Sequence, residues 1–168
     1  MRGWNGEILR VNLSKGKTRI EEYGSDFALN FLGGRGFAIK TLWDELKPGI
    51  DPLSPENKLV FAAGPLTGFA LPSSGKLLVA SKSPLTGGYG DGNLGSQAAV
   101  KLRKAGYDAL VLEGKAEKPS YLLVENEKVE IMDACDLWGL GAFEAERRLM
   151  KEHGRGVGIL VIGPAGEN

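Results

Sequence analysis

Five glycines lie within nine positions, 87–95, immediately before a helical pattern. Glycine allows positive φ angles and lets a ligand approach the backbone where a Cβ atom would collide with it. Residues 96–105 predict a helix that Ser96 caps and Gly106 ends. The start of such a helix offers free N–H groups and the positive end of the helix dipole, and it binds anions, most often phosphate. The sequence therefore predicts that this glycine loop cradles a cofactor.

The composition favours a soluble globular chain and excludes several classes of function. Its 168 residues suffice for one domain with a buried core. With 21 basic and 21 acidic residues the net charge is zero, so the chain lacks the positive surface that binds nucleic acid or anionic lipid. We expect neither a membrane span nor a signal peptide, because no apolar run is long enough. The single cysteine, Cys135, supplies no internal disulfide and no metal site alone, which suits a cytoplasmic compartment.

The first half of the chain alternates between strand and helix patterns. Two segments with apolar residues at alternate positions, 6–13 and 17–23, predict a hairpin. Helical patterns follow, interrupted by Gly33-Gly34-Arg35-Gly36, and then come two apolar strands. These later elements are helices at 27–32 and 37–46, strands at 58–63 and 76–82, and a turn at 64–68.

The second half repeats this order, which indicates an internal duplication. A strand at 107–113 is followed by a hairpin, a helix, an apolar strand and a second Gly-Pro turn. They lie at 119–124 with 128–132, 143–151, 157–162 and 163–166. The predicted fold class is α+β, built from duplicated units of hairpin, helix and strand. Because the second unit stops before the strand and glycine loop of the first, we expect a fragment of a longer protein.

Taken alone, the glycine loop also matches the dinucleotide fingerprint. Gly90-Asp91-Gly92-Asn93-Leu94-Gly95 has the G-x-G-x-x-G spacing, and Glu113 ends the next strand about twenty residues further on. The surrounding hairpins, and residues 83–89 between the preceding strand and the first glycine of the fingerprint, are not typical of a βαβ unit. A dinucleotide-binding domain and a non-catalytic assembly module are the alternative interpretations.

Seven segments of the chain, taken in order, resemble segments of a known protein family. They are WNGEILRVNL at 4–13, GGRG at 33–36, DPLSPENK at 51–58, GPLTG at 64–68, SKSPLTGG at 81–88, AGYDALVLEGKA at 105–116 and IGPAGEN at 162–168. In this order they resemble the N-terminal domain of the tungsten-containing aldehyde ferredoxin oxidoreductases. The resemblance covers nearly the whole chain, and residues 87–95 look most like the formaldehyde-oxidising branch.

The resemblance implies an enzyme that oxidises formaldehyde or other short aldehydes to carboxylic acids at a tungsten held by two pterins, with ferredoxin as the electron acceptor. In that family this domain is a two-sheet base for the bis-pterin cofactor. The resemblance places cofactor-binding residues at Lys76, Asn93, Leu94 and Gly95, with Asn93 beside a magnesium ion that bridges the pterin phosphates. Chemically, Lys76 offers a positive charge, Asn93 a carbonyl ligand and Gly95 close backbone approach.

The resemblance also implies partners outside these 168 residues. In the family, the 4Fe–4S cluster, a second loop that binds the other pterin and the substrate pocket lie downstream. We therefore expect this chain alone to hold no cluster and to be inactive. Ferredoxin, the downstream domains and further copies of the protein are the expected partners, with no nucleic acid and no membrane.

Several of these residues also have a purely structural interpretation. Lys76 alone suits a solvated strand lysine, and Asp91 and Asn93 are ordinary turn formers. Arg35, between glycines, either contacts phosphate or decorates a break between two helices, and the sequence does not decide. Four residues are predicted to be buried, namely Cys135, Trp4, Trp43 and Trp138.

Overall fold

The computed structural model describes residues 3–167 and centres on a six-stranded mixed sheet. Its strands are β1 (Glu7–Asn12), β2 (Lys17–Glu22), β3 (Lys58–Ala63), β4 (Lys76–Lys82), β5 (Tyr89–Gly95) and β6 (Ala109–Glu113). Across the sheet they follow the order β2-β1-β6-β3-β4-β5, which makes β5 an edge strand. In this sheet β1 and β6 are parallel, and the other neighbours are antiparallel.

Two helices, α1 (Ser25–Phe31) and α2 (Arg35–Glu45), cover one face of the sheet. Strand side chains alternate between the two faces, and those under the helices are small or branched, which lets α2 approach closely. The buried cluster on this face comprises Ile8, Phe37, Ala38, Leu42, Val60, Ala62, Leu78, Ala80, Ala109 and Val111. This packing places the start of α2 beside the end of β3 and the start of β4.

A helix and a separate hairpin cover the opposite face. The remaining elements are α3 (Gln97–Lys104), β7 (Ser120–Glu125), β8 (Lys128–Asp133), α4 (Ala142–His153) and α5 (Gly163–Glu167). Leu77 and Ala99 join β4 to α3, whereas Leu9, Val11 and Tyr107 pack against the apolar side of the β7–β8 hairpin. None of the helices within residues 3–167 has the length and apolar character needed to cross a membrane.

Most of the elements expected from the sequence are confirmed. Both hairpins and the predicted helices are present, and the strands at 58–63 and 76–82 match β3 and β4. Ser96 caps α3 by accepting a hydrogen bond of 2.9 Å from the Ala98 N–H group, and Gly106 has a positive φ of 105° after the helix. The α+β class, with one larger and one smaller sheet, is also confirmed.

Two predicted elements differ from the structure. Residues 89–95, expected within a glycine loop, form the edge strand β5 because they pair with β4 over its whole length. Residues 157–162, expected to be a strand, pair with no strand among the described residues, and the expected turn at 163–166 lies inside α5. The second unit thus repeats the hairpin and the helix of the first, but not its paired strand.

The dinucleotide-binding alternative is wrong. Residues 90–95 lie inside β5 and run antiparallel to β4, rather than forming the turn between a strand and a helix. The fingerprint glycines therefore do not form the phosphate-binding turn of a βαβ unit. Glu113 is engaged as well, since it pairs with Lys58 and accepts a hydrogen bond of 2.8 Å from Asn12.

The burial predicted for four residues holds in part for one of them, Trp4, which is half-buried. Trp4 packs against the core under α1 and α2, and its Nε1–H group donates a hydrogen bond of 2.7 Å to the Leu32 carbonyl. Trp43 is 83% exposed and Trp138 is 49% exposed, and Cys135 is also exposed. Residue type alone predicted an inner position for these three side chains, whereas Trp43 lies on the outer face of α2 and the other two lie in the turns between β8 and α4.

Candidate functional site

A cavity of about 370 Å³ lies where α2 begins, above the end of β3 and the start of β4. Its lining combines Gly34 and Arg35 at the start of α2 with the turn at 64–67, and with Lys76 and Asn93 on β4 and β5. The structure thereby brings together two of the residues predicted to bind a cofactor, Lys76 and Asn93. They are separated in sequence, and the pairing of β4 with β5 makes them neighbours.

The β4–β5 register decides which side chains face the cavity. Lys76 lies opposite Gly95 and Leu78 lies opposite Asn93, so all four belong to the same face of the sheet. Leu94 lies between Asn93 and Gly95 on the strand, and its side chain is therefore on the other face. A cofactor contact of Leu94 stays a prediction, and it would have to use the backbone.

Lys76 and Asn93 offer unused polar groups to the cavity. The exposed Lys76 ammonium and the Asn93 side-chain amide have no hydrogen-bond or ion-pair partner among residues 3–167. The neighbouring Thr67 is different, because its Oγ1 atom accepts a hydrogen bond of 3.1 Å from the Gly64 N–H group and donates one of 3.2 Å to the Lys76 carbonyl. Thr67 therefore shapes the wall of the cavity, whereas Lys76 and Asn93 remain available to a ligand.

The start of α2 adds positive potential to this wall. The helix has no acidic residue in its first turn, and no side chain caps it. Gly33 lets the α1–α2 connection lie against β3, because a Cβ atom there would be 2.8 Å from the Ala63 carbonyl oxygen. The Gly34 N–H group donates a hydrogen bond of 2.9 Å to that same oxygen. The uncompensated positive end of the helix dipole thus lies at the cavity.

Arg35 forms an ion pair with Asp91 of β5. Its Nε and Nη2 atoms donate hydrogen bonds of 2.5 and 3.0 Å to the two carboxylate oxygens. The hydrogen bonds from Arg35 and then Tyr89 lower the pKa of Asp91 below its ordinary value. Burial, followed by the interaction with Asp91, raises the pKa of Tyr89 to about 12. The carboxylate is therefore ionised and fixed at neutral pH, and it links the start of α2 to the edge strand.

The start of α3, which the sequence ranked first as an anion site, is not part of the cavity. Its first turn is capped by Ser96, and Gly158 packs against it so closely that a Cβ atom would lie 2.6 Å from the Ala98 Cα atom. At the start of α2, by contrast, the sequence did not decide whether Arg35 contacts phosphate. The signal that could have found this helix start is Gly33-Gly34-Arg35-Gly36, which combines close backbone approach with a cation at a helix start.

The wall of the cavity carries groups that anions bind in other proteins. It presents an ammonium group, a guanidinium group, an amide and a helix start, which together suit phosphate oxygens. Within residues 3–167, no three histidine, cysteine, aspartate or glutamate side chains come together as a metal site. The cationic groups and the amide at the wall would suit an anionic ligand.

Comparisons with known proteins identify the family of the chain. Residues 8–168 match the family described as "Aldehyde ferredoxin oxidoreductase, N-terminal domain". The tungsten-containing aldehyde ferredoxin oxidoreductase of Pyrococcus furiosus is 51% identical over 164 residues, which are 97% of this chain and 27% of that protein. The aliphatic sulfonate oxidoreductase, WOR-like subunit, of the same organism is 40% identical, over 90% of this chain and 24% of that protein.

A solved structure shows the same fold. The active site complex BamBC of benzoyl coenzyme A reductase, in complex with 1,5-dienoyl-CoA, superposes with a TM-score of 0.88 at 36% identity. The match covers 92% of this chain and 24% of that one. The chain thus spans about a quarter of the length of the relatives it matches. Its sequence and its fold both show that it belongs to the family of aldehyde ferredoxin oxidoreductase N-terminal domains.

Proposed function

We propose that this chain is the cofactor-binding base of a tungsten-dependent oxidoreductase and that the cavity at the start of α2 binds the phosphate of a pterin cofactor. The relatives at about 50% identity are named tungsten-containing aldehyde ferredoxin oxidoreductases. The observation that carries the proposal is the convergence of Lys76 and Asn93 on one cavity, with their polar groups unused by residues 3–167. To bind the phosphate group of a pterin, a site needs both a cation and hydrogen-bond donors.

The residues present fit such a group. A Cβ atom built on Gly34 or Gly95 would meet no heavy atom beyond the neighbouring residues within 4 Å, so the backbone at these two positions is open to a ligand. The donors at its wall are cationic or amide groups, which match phosphate oxygens better than they match an apolar substrate. Phosphate binding at this end of the sheet therefore requires no rearrangement of the core.

Each residue has a distinct task in this proposal. Lys76 supplies a mobile positive charge to the phosphate, and Gly95, opposite Lys76, permits close backbone approach. The Asn93 side-chain oxygen is a hard ligand of the kind magnesium accepts, as part of a site completed by phosphate oxygens and water. The tungsten pterin, when bound, supplies the two-electron oxidation of an aldehyde to a carboxylic acid.

The remaining functions belong to the parent protein in this proposal. We propose that a 4Fe–4S cluster, the substrate pocket and the ferredoxin-binding surface come from segments that the longer relatives carry and this chain does not. The isolated chain would then bind cofactor without turning over aldehydes. Formaldehyde or another short aldehyde as substrate, a cytoplasmic location and a homo-oligomeric state are parts of the same proposal.

Metal and pterin analysis tests the proposal. The holoprotein, purified anaerobically from its native host, should contain tungsten and pterin, and Lys76→Gln should lower the pterin content. Lys104→Gln serves as the matched control, because Lys104 is an exposed lysine on α3, on the other side of the sheet. Equal pterin in both variants would contradict the proposed site. A native protein without tungsten and pterin would leave a non-catalytic assembly role in its place.

A further inference from the structure

We infer that Arg35 is a further anion-binding residue of this cavity and that Asp91 is the residue that positions it. The inference rests on the proposed function, because it concerns the same phosphate site. The sequence left the role of Arg35 undecided. The geometry of its ion pair with Asp91 points to a role beyond joining two elements of the fold.

The ion pair with Asp91 does not use all the donors of the guanidinium. Asp91 is bound through Nε and Nη2, the two donors along one side of the group. Arginine has five N–H donors in a planar fork, so three remain beyond the ion pair, and the Tyr89 side chain also interacts with the group. Arg35 lines the cavity, and the outer edge of a guanidinium has the spacing that binds two phosphate oxygens at once.

The Asp91 carboxylate is well placed to fix the orientation of the Arg35 guanidinium. The Asp91 side chain is only 14% exposed, against 56% for Arg35. Asp91 lies on β5 opposite Ala80, which is buried in the core under α2. A carboxylate anchored to a paired strand restricts the rotation of a long and otherwise exposed side chain. Arg35 would otherwise pay a large entropy cost to settle on a ligand.

The position of Asp91 also brings Arg35 next to the other proposed ligand-binding groups. Asp91 and Asn93 are two residues apart on β5, so their side chains lie on the same face. Lys76 is one step further along that face, across the β4–β5 pair. A phosphate in the cavity would therefore meet the Arg35 fork on one side and the Lys76 ammonium on the other.

A structural role and a positioning role predict opposite effects of one substitution. If Asp91 only joins β5 to α2, Asp91→Asn removes a negative charge beside the cavity and strengthens the binding of an anion. If Asp91 positions Arg35, the same substitution frees the arginine side chain and weakens the binding. The double substitution Arg35→Asp with Asp91→Arg separates the two roles further, because it restores an ion pair but moves the cation to β5.

The experiment is a calorimetric titration of the 168-residue chain with inorganic pyrophosphate at low salt, with inorganic phosphate titrated in parallel. We expect Arg35→Gln to weaken pyrophosphate binding about 10-fold or more, because a hydrogen bond to a charged group contributes at least that factor. Asp91→Asn should weaken it by a smaller factor, and the double substitution should restore thermal stability without restoring affinity. Arg147→Gln, at an exposed arginine of α4, is the matched control and should bind like the unsubstituted chain.

The outcomes separate this inference from the proposed function. Binding that is lost in Lys76→Gln but unchanged in Arg35→Gln, or strengthened in Asp91→Asn, would overturn the inference and leave the proposed site intact. Full affinity in the double substitution would also overturn it. An unsubstituted chain that binds neither pyrophosphate nor phosphate would overturn both. Weaker pyrophosphate binding in Arg35→Gln and Asp91→Asn, in chains with unchanged circular dichroism, supports the inference.

Discussion

The Oδ2 atom of Asp108 accepts a hydrogen bond of 2.8 Å from the backbone N–H group of Gly6, a residue 102 positions earlier in the chain. The same oxygen accepts hydrogen bonds from the Asn5 N–H group, also at 2.8 Å, and from the Tyr23 hydroxyl. The other carboxylate oxygen pairs with Arg103 of α3. Asp108 is 1% exposed, so one buried carboxylate just before β6 joins the N-terminal segment, the residue after β2 and α3.

We predict that Asp108→Ala lowers the free energy of unfolding by about 3–5 kcal/mol, because it leaves Arg103 largely buried without its counter-charge. Asp44→Ala is the control, since Asp44 is an exposed partner of Lys40 on α2, and its loss should cost about 0.5 kcal/mol or less. Urea unfolding of both variants measures the difference. Equal unfolding midpoints for the two would show that the buried carboxylate is not needed.

The tyrosines predict a loss of stability at alkaline pH. Burial raises the pKa of Tyr23 from its ordinary value of 10.0 to about 12. The unfolded chain therefore loses this proton at a lower pH than the folded chain does, so the contribution is complete below pH 10 and is lost as the pH rises towards 12. Tyr23→Phe should make the fall in stability between pH 10 and about pH 12 shallower. Urea unfolding midpoints measured across this pH range test the prediction.

A spectroscopic titration gives the control for this prediction. Burial also raises the pKa of the other three tyrosines, Tyr89, Tyr107 and Tyr121. The absorbance of tyrosinate in the folded chain should therefore develop above its usual range, and in urea it should return to that range. A folded chain in which any tyrosine ionises at its ordinary pKa would contradict the burial described for that residue.

Glu113 predicts the opposite behaviour at acidic pH. A hydrogen bond from Lys58, followed by one from Asn12, lowers the pKa of Glu113 below its ordinary value of 4.5. Its contribution to stability is present above that value and is lost as the pH falls through the lowered pKa of the folded state. Glu113→Gln should therefore flatten the acid limb of the stability curve, measured by urea unfolding. Glu56→Gln, at an exposed glutamate, should leave that limb unchanged.

The sequence predicted the helices and most strands because their apolar residues recur with a regular period. It missed β5 because five of the residues in 87–95 are glycine, which shows no alternation of side chains and has a low strand propensity. The strand exists because β4 offers it a complete register of partners. Residues 157–162 show the converse, since an apolar run becomes a strand only where another strand pairs with it.

The candidate site was predictable in part. The resemblance named Lys76 and Asn93, and the strand pairing brings both to one cavity. Spacing alone could not show which helix start faces that cavity, because glycines precede both α2 and α3 in the sequence. The answer depends on the contact of Gly33 with Ala63 and on the cover that Gly158 gives to α3. Both contacts join segments that are distant in the chain.

Exposed apolar side chains predict self-association of the chain. Trp43 is 83% exposed, and Leu29, Leu32 and Ile39 of the same helical layer are also exposed. Apolar surface of this kind is typical of an interface. Light scattering after size exclusion should therefore show dimers or larger species, which Trp43→Ser weakens. Leu85→Ser, at a side chain that is 92% exposed on a loop, is the control, and a monomer at high concentration would refute the prediction.

Two glycines, Gly36 of α2 and Gly92 of β5, should tolerate substitution very unequally. A Cβ atom on Gly36 would lie 1.9 Å from the Phe31 carbonyl oxygen, whereas a Cβ atom on Gly92 would meet nothing within 4 Å. Gly36→Ala must therefore move the α1–α2 connection, and we predict a loss of about 3 kcal/mol or more in the free energy of unfolding. Gly92→Ala should change it by about 0.5 kcal/mol or less.

The same pair of variants tests whether the cavity depends on this connection. Movement of the start of α2 carries Arg35 away from Asp91, so Gly36→Ala should lose affinity for pyrophosphate even at temperatures where it remains folded. Gly92→Ala keeps the α1–α2 connection and the Arg35–Asp91 pair, and it should remain folded to the same temperature as the unsubstituted chain. Thermal unfolding and calorimetric titration on both variants measure the two effects. A folded Gly36→Ala chain with unchanged affinity would show that the position of α2 does not set the site.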